Sequence, residues 1–317
     1  MTDPLSPAQD VRGELHDELV AAMQRVPELA GHSLRLSVLS GGLTNRNFLV
    51  NAPDLAERYV IRMGGTDTHL LGISREAEQA ATAAAASVGV GPEVVAFIRP
   101  EGFLVTRFIT GSPISPEQIR QPAMLERVAD SLRRIHGGPA IPGVFVPLRI
   151  VEGYRALAAD RGVTIPSAYQ RARDAGRRIE RALLASPIDP LPCHNDLLNA
   201  NFIDDGARLR IVDWEYAGMG DQFFDLGNFS INHELSPEAD EVLLHAYEGE
   251  VRPARLARLS LMRVVSDFRE AMWSVLQQGI SSLDVDFVAY ANEHFERLLE
   301  SVSRPAFERA LEEAADG

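Results

Sequence analysis

The apolar residues of this chain recur in two different rhythms, and the change between them limits the fold more than any other feature. Leu34, Leu36 and Val38 alternate with polar positions, as do Phe48 and Val50, and then Tyr59, Ile61 and Met63. A period of two is that of a strand buried on one face, so these runs predict a three-strand meander. Residues 74–87, alanine-rich, capped by Ser74 and ended near Gly89, predict a helix, and residues 94–98 and 103–109 a hairpin around Arg99-Pro-Glu-Gly102. Ahead of the meander, Leu15, Leu19 and Met23 stand at helical spacing and predict a first helix over about residues 7–26.

Past Gly111-Ser-Pro113 the rhythm becomes helical, with stretches near residues 122–136, 167–184, 237–248, 253–278 and 285–301. Only residues 191–213 read as extended there, as two short apolar runs with a turn at Asp204-Asp-Gly206. The expectation is an α+β chain: residues 1–110 form a small antiparallel-sheet domain and residues 111–317 a larger, mainly helical one. A length of 317 residues suits two closely packed domains with a cleft.

The charge narrows the partners. A formal net charge of −14 repels phosphate backbones and anionic lipid, and the arginines of residues 171–181 are scattered among acids. No nucleic acid and no membrane insertion are expected. The one cysteine, Cys193, excludes an internal disulfide and a cysteine-based zinc cage, and residues 1–10 carry acids and prolines where a signal peptide needs a basic and then an apolar stretch. The reading is cytoplasmic, with homodimer formation left open.

The densest polar signal is Cys193-His-Asn-Asp-Leu-Leu-Asn-Ala-Asn201, followed by Ile211-Val-Asp-Trp-Glu-Tyr-Ala-Gly218. Asp196 and Asn201 are five residues apart and Asp213 lies seventeen beyond Asp196 across a short hairpin, so the three can converge. Phosphoryl transfer asks the protein for that set: a carboxylate to take the alcohol's proton, and hard oxygen ligands for Mg²⁺, which Asn201 and Asp213 provide. A second element, Ser40-Gly-Gly-Leu-Thr-Asn45, lies between two predicted strands. Its glycines Gly41 and Gly42 let backbone N–H groups approach phosphate oxygens, while Ser40, Thr44 and Asn45 add polar donors. Arg62, inside an apolar strand, requires an anion beside it. Its expected partners are nucleotide phosphates and Glu76, with Glu78 as the alternative.

These motifs resemble those of the aminoglycoside and choline phosphotransferases, distant relatives of protein kinases, whose signature is His-x-Asp followed five residues later by Asn. The resemblance implies a protein-kinase-like bilobal fold, ATP and Mg²⁺ as cofactors, Asp196 as catalytic base, Asn201 and Asp213 as metal ligands, and His194 as a loop-supporting histidine. It places the hinge that reads adenine at residues 106–109, with Thr106 and Phe108. Most relatives have lysine at the position of Arg62, whereas the choline kinases resemble this chain in using arginine.

A narrower resemblance is to the choline/ethanolamine kinases, through Gly41-Gly-Leu-Thr-Asn-Arg-Asn-Phe48, Asp213-Trp-Glu-Tyr-Ala-Gly218 with Phe224-Asp-Leu-Gly-Asn228, and Trp273-Ser-Val-Leu-Gln-Gln-Gly-Ile-Ser281. It implies a small cationic alcohol as acceptor, its ammonium caged by aromatic rings and carboxylates. Trp273 and Tyr290 are the candidate walls, with Tyr216, Glu215 and Asp225 nearby; Trp273 and Tyr290 read equally as core residues, and Asp225 also as a residue that holds the catalytic loop. Eukaryotic choline kinases carry a second tryptophan where this chain has Glu270, a change that favours a primary or secondary amine. Other hydroxyl acceptors (an aminoglycoside, thiamine, a sugar) and a non-catalytic nucleotide-binding regulator are the alternatives.

Overall fold

The computed structural model describes residues 7–39, 45–65 and 68–317. They form two compact units, one of residues 1–115 with 199–215 and the other of residues 116–198 with 216–317.

The first unit is built on an antiparallel sheet of β1 (Pro7–Asp10), β2 (Arg35–Leu39), β3 (Asn45–Asn51), β4 (Tyr59–Gly64), β5 (Val94–Ile98) and β6 (Phe103–Arg107), in the order β1-β2-β3-β4-β6-β5. Helix α1 (Glu14–Met23) precedes β2, and α2 (Arg75–Ser87) joins β4 to β5. The expected first helix starts later than the spacing suggested. Residues 7–10 are a strand on the edge of β2, and Gly13, with φ 73°, turns the chain into the helix. Edge pairing supplied by the sheet overrides helical spacing there.

The alternation read in the sequence gives the sheet two faces with different tasks. Leu36, Phe48, Val50, Tyr59, Ile61, Phe103 and Val105 pack with Leu19 and Met23 of α1 in one apolar core. The intervening positions Leu39, Asn47, Val60, Arg62, Leu104 and Thr106 line a cleft on the other face. Ser74 caps α2 as expected, its Oγ accepting from the Ala77 N–H at 3.3 Å.

The segment 199–215 completes this unit. Strands β7 (Ser112–Pro113), β9 (Phe202–Asp204) and β10 (Leu209–Ile211) form a second sheet in the order β10-β9-β7. Val90 accepts from the Ile211 N–H at 3.0 Å, and the Asn199 side chain donates to Ile114 O at 2.8 Å. A Cβ at Gly111 would lie 2.5 Å from the Asp204 carbonyl, so only glycine admits this close approach.

The second unit is mainly helical: α3 (Pro116–Ile119), α4 (Pro122–His136), α5 (Pro147–Asp160), α6 (Ala168–Ala185), α7 (Gln222–Asn232), α8 (Pro237–Glu248), α9 (Pro253–Ile280), α10 (Phe287–Ser303) and α11 (Pro305–Asp316), with β8 (Leu191–Cys193) paired to β11 (Gly218–Gly220). Helix α9 is its axis, packed by α10, α7, α5 and α11. Gly227 lets α7 cross α9, because a Cβ there would lie 2.7 Å from the Met262 backbone. Among the described residues no helix is long and apolar enough to cross a membrane.

Candidate active site

In the first unit the cleft holds a cluster of charge. Arg62, on the central strand β4, places Nη2 2.5 Å from Asp213 Oδ1 and 3.2 Å from Glu215 Oε2, and its Nε 2.8 Å from Glu78 Oε1. Burial alone would pull the guanidinium's proton affinity down; the charges of Asp213, Glu78 and Glu215 outweigh it and raise it above the ordinary arginine range. Arg75, which the sequence reading did not single out, closes the cluster, with Nη1 2.6 Å from Glu78 Oε2 and 3.3 Å from Glu215 Oε2. The Asn45 amide donates to Glu215 at 2.8 Å.

One expectation is corrected here. Glu78, not Glu76, is the partner of Arg62: the two glutamates are two positions apart, about 200° around a helix, so when one is buried the other faces out, and Glu76 is exposed. Glu215, an acceptor-site candidate in the sequence, belongs to the first unit, where Asn45, Arg62 and Arg75 engage its carboxylate.

The cleft is lined by apolar Leu39, Val60, Leu104 and Ile203, by Thr106 and Phe108 of the expected hinge, and by Asn201 and Asp213. Phe108 is covered by the Arg58 guanidinium, 4.2 Å from its ring centroid. Asn201 and Asp213 offer an amide oxygen and a carboxylate, a donor set suited to a hard cation such as Mg²⁺, and Asp213 takes up a backbone conformation with φ 71° that turns the chain at this point. Ser40, Gly41, Gly42 and Thr44 of the expected phosphate loop lie outside the described residues.

In the second unit, the loop that carries Asp196 is held from below by α7. Asp225 is completely buried; its Oδ1 accepts the Asn195 N–H at 2.7 Å and its Oδ2 the His194 N–H at 2.8 Å, with His136 Nε2 3.0 Å from Oδ2. Burial pushes its proton affinity up, but the His136 hydrogen bond, His136 and His194 charge and the backbone donor together hold it below the ordinary carboxylate range. Asn228, one turn on, accepts the Leu197 N–H at 2.6 Å and donates to Ser266 of α9 at 3.0 Å. Asp225 therefore supports the loop, one of the two roles read for it in the sequence, and its carboxylate is turned to backbone donors and not to an acceptor. His194, also buried, accepts the Asp196 N–H on Nδ1 at 3.2 Å, a loop-supporting contact.

Around Asp196 the second unit gathers the remaining acceptor candidates. Trp273 donates from Nε1 to the Tyr216 hydroxyl at 3.0 Å, and its ring meets Tyr290 edge-on at 6.1 Å and Phe287 at 5.9 Å. The Tyr290 hydroxyl lies 3.4 Å from Glu270 Oε2. Arg269 joins these groups to the loop: its Nη1 is 3.4 Å from Asp196 Oδ1, it also meets Glu270 Oε1, and its guanidinium carbon stands 4.4 Å over the Tyr216 ring. Sequence reading missed Arg269 and His136, and quoted Asn228 within a motif without a role. The charged run Asp267-Phe-Arg-Glu270 in the buried middle of α9 was the available signal, since neighbouring charges in a buried helix imply partners.

A sheet domain with a buried arginine and carboxylates facing a cleft, together with a helical domain that presents an aspartate on a fixed loop, is the architecture of a kinase-like phosphotransferase. Residues 35–259 match the phosphotransferase enzyme family. The chain is 34% identical to a choline/ethanolamine kinase family protein of Mesorhizobium loti, with a TM-score of 0.82 over 96% of this chain and 100% of that one. It is 26% identical to human ethanolamine kinase 2 over 88% of this chain and 81% of the relative, and 29% identical to the LicA protein of Haemophilus influenzae over 68% of this chain and 63% of that relative, just under two thirds of its length. The chain belongs to the phosphotransferase enzyme family and, within it, to the choline/ethanolamine kinases.

Proposed function

We propose that this protein transfers the γ-phosphate of ATP to the hydroxyl of a small amino alcohol of the choline/ethanolamine type. The observation that carries the reading is the grouping, in one unit, of Asp196 with Trp273, Tyr216, Tyr290 and Glu270: a proton acceptor stands beside aromatic faces and a carboxylate suited to an ammonium. The names of the relatives, ethanolamine kinase 2 and choline/ethanolamine kinase among them, support the same acceptor class.

In this reading the first unit holds the nucleotide, with the adenine in the apolar cleft beside Thr106 and Phe108 and the phosphates near Arg62 and Asn45. Asn201 and Asp213 are the groups that would hold Mg²⁺, which when bound neutralises phosphate charge. Asp196 accepts the alcohol's proton while the alcohol oxygen attacks the γ-phosphorus and the bond to the β-phosphate oxygen breaks, so ADP leaves and a phosphate monoester forms. Trp273, Tyr216 and Tyr290 orient the ammonium, and Asp225, Asn228 and His194 keep the base in place. A cytoplasmic setting fits a chain whose one cysteine leaves no internal disulfide.

The test is acceptor-stimulated ADP release by the purified protein with ATP and Mg²⁺ against ethanolamine, N-methylated ethanolamines, choline, thiamine and kanamycin, with Asp196→Asn as control. Stimulation by an amino alcohol that the variant abolishes is the expected result. Stimulation by kanamycin or thiamine alone, or by no acceptor, overturns the assignment.

A further inference from the structure

Arg269 is among the largest fully buried side chains of the protein, yet it spends its charge unevenly. Nη1 makes both of its polar contacts, to Asp196 Oδ1 at 3.4 Å and to Glu270 Oε1, while Nε and Nη2 are buried with no hydrogen-bond partner among the described residues. A guanidinium has five N–H donors in a fixed fork, and one kept for folding alone would be expected to satisfy them. Buried ion pairs replaced by apolar groups of similar volume commonly fold as well or better. The desolvation of Arg269 is therefore poorly compensated by folding, and its contacts point elsewhere.

They point to the loop. The backbone at Asp196 is anchored, its N–H donating to His194 and its carbonyl accepting from Leu198 at 3.0 Å, but a backbone anchor does not fix the rotation of the carboxylate. A cation against one oxygen does, because the carboxylate cannot turn without losing that contact. Arg269 is itself immobilised from two sides, by the Tyr216 ring beneath the guanidinium and by Glu270, whose other oxygen faces the Tyr290 hydroxyl. Burial pulls the guanidinium's proton affinity down, and Glu270 and Asp196 more than restore it, so the group stays charged.

We propose that Arg269 is a positioning residue for phosphoryl transfer, fixing the Asp196 carboxylate to receive the alcohol's proton, with Glu270 as the counter-charge that links this restraint to the ammonium pocket. The inference rests on the reading of Asp196 as proton acceptor. It also implies that acceptor binding at Glu270 is felt at Asp196 through the shared Nη1.

The experiment compares wild type, Arg269→Met, Arg269→Lys and Asp196→Asn for kcat, for KM of ATP and of whichever amino alcohol the wild type uses, and for the urea unfolding midpoint. Arg269→Met is expected to lower kcat about a hundredfold, with KM for ATP within about twofold and a lowered midpoint, because the buried Glu270 is left without its cation; Arg269→Lys is expected to recover about tenfold of the kcat loss. A kcat for Arg269→Met within about threefold of wild type overturns the proposal, as does a kcat loss that Arg269→Lys shares in full. If Arg269→Met does not fold, Arg269→Lys decides alone: a kcat reduced about tenfold with unchanged KM for ATP supports the role, and a wild-type kcat removes it. A wild type that turns over no acceptor defeats the reading of Asp196 and this inference with it, an outcome distinct from an active wild type silenced by Asp196→Asn but indifferent to Arg269.

Discussion

The Arg62 guanidinium lies 2.5 Å from the carboxylate of Asp213, so the cation expected to meet phosphate and the carboxylate expected to meet metal neutralise each other. Arg62 is also the cation beside Glu78 and Glu215, both buried. Removing one partner of a buried ion cluster leaves charge without compensation. Arg62→Met should therefore lower folding stability by about 3 kcal/mol, read from urea unfolding, and should also weaken ATP binding in a fluorescence titration. A variant as stable as wild type would show that Arg75 alone balances the carboxylates.

Asp225 receives two backbone N–H groups of the loop that ends in Asp196. Asp225→Asn keeps the shape but loses the charge and turns one acceptor into a donor facing a donor. The expected loss is about 3 kcal/mol of stability together with a kcat lowered at least about tenfold, measured by unfolding and by steady-state kinetics. Retained kcat would mean that Asn228, through Leu197, holds the loop by itself.

His233 gives the protein a pH dependence of known sign. Its ring stacks on Phe229 at 4.2 Å and its Nδ1 lies 2.7 Å from the Phe229 carbonyl, and burial pushes its pKa down from 6.5 to about 4. Folded, the ring stays neutral between those values, whereas unfolded it binds a proton. Stability contributed by the neutral ring is thus present above about pH 6.5 and is lost as pH falls toward 4, by at most about 3 kcal/mol. Urea unfolding between pH 7 and pH 4.5 should show this slope, and His233→Gln should flatten it.

Glu270 tests acceptor selection. Its carboxylate stands with Tyr290 and Trp273 where a quaternary-ammonium site would use another ring. Glu270→Gln is expected to raise KM for ethanolamine about tenfold, the loss of one charge-assisted hydrogen bond, and to change KM for choline less. Equal changes for both amines would assign Glu270 to Arg269 alone.

Much of the local structure was legible. Period-two alternation set which residues of the sheet face the core, and Ser74 marked the start of α2. Helices α5, α7 and α11 were not read. Helix α7 (Gln222–Asn232) is buried on almost every side, so it shows no apolar stripe to mark it. The motifs around Asp196, Asn201 and Asp213 singled out the polar residues and two of the loop's supports, His194 and Asp225, but not His136 or Arg269.

The sequence by itself determined the alternating sheet, the later helices and the spacing of the motif residues, because strand and helix periods and cap residues act within a few positions along the chain. Only the tertiary structure decided that residues 199–215 pack with the first unit, that Arg62 meets Glu78 and not Glu76, that Asp225 is turned inward to backbone donors, and that Arg269 reaches Asp196. Each of these depends on contacts between residues far apart in the chain, from Arg62 of β4 and Glu78 of the following helix α2 to Val90 and Ile211, more than a hundred positions apart. Burial and pairing of charge, unlike periodicity, leave no local signature to say which partner is chosen.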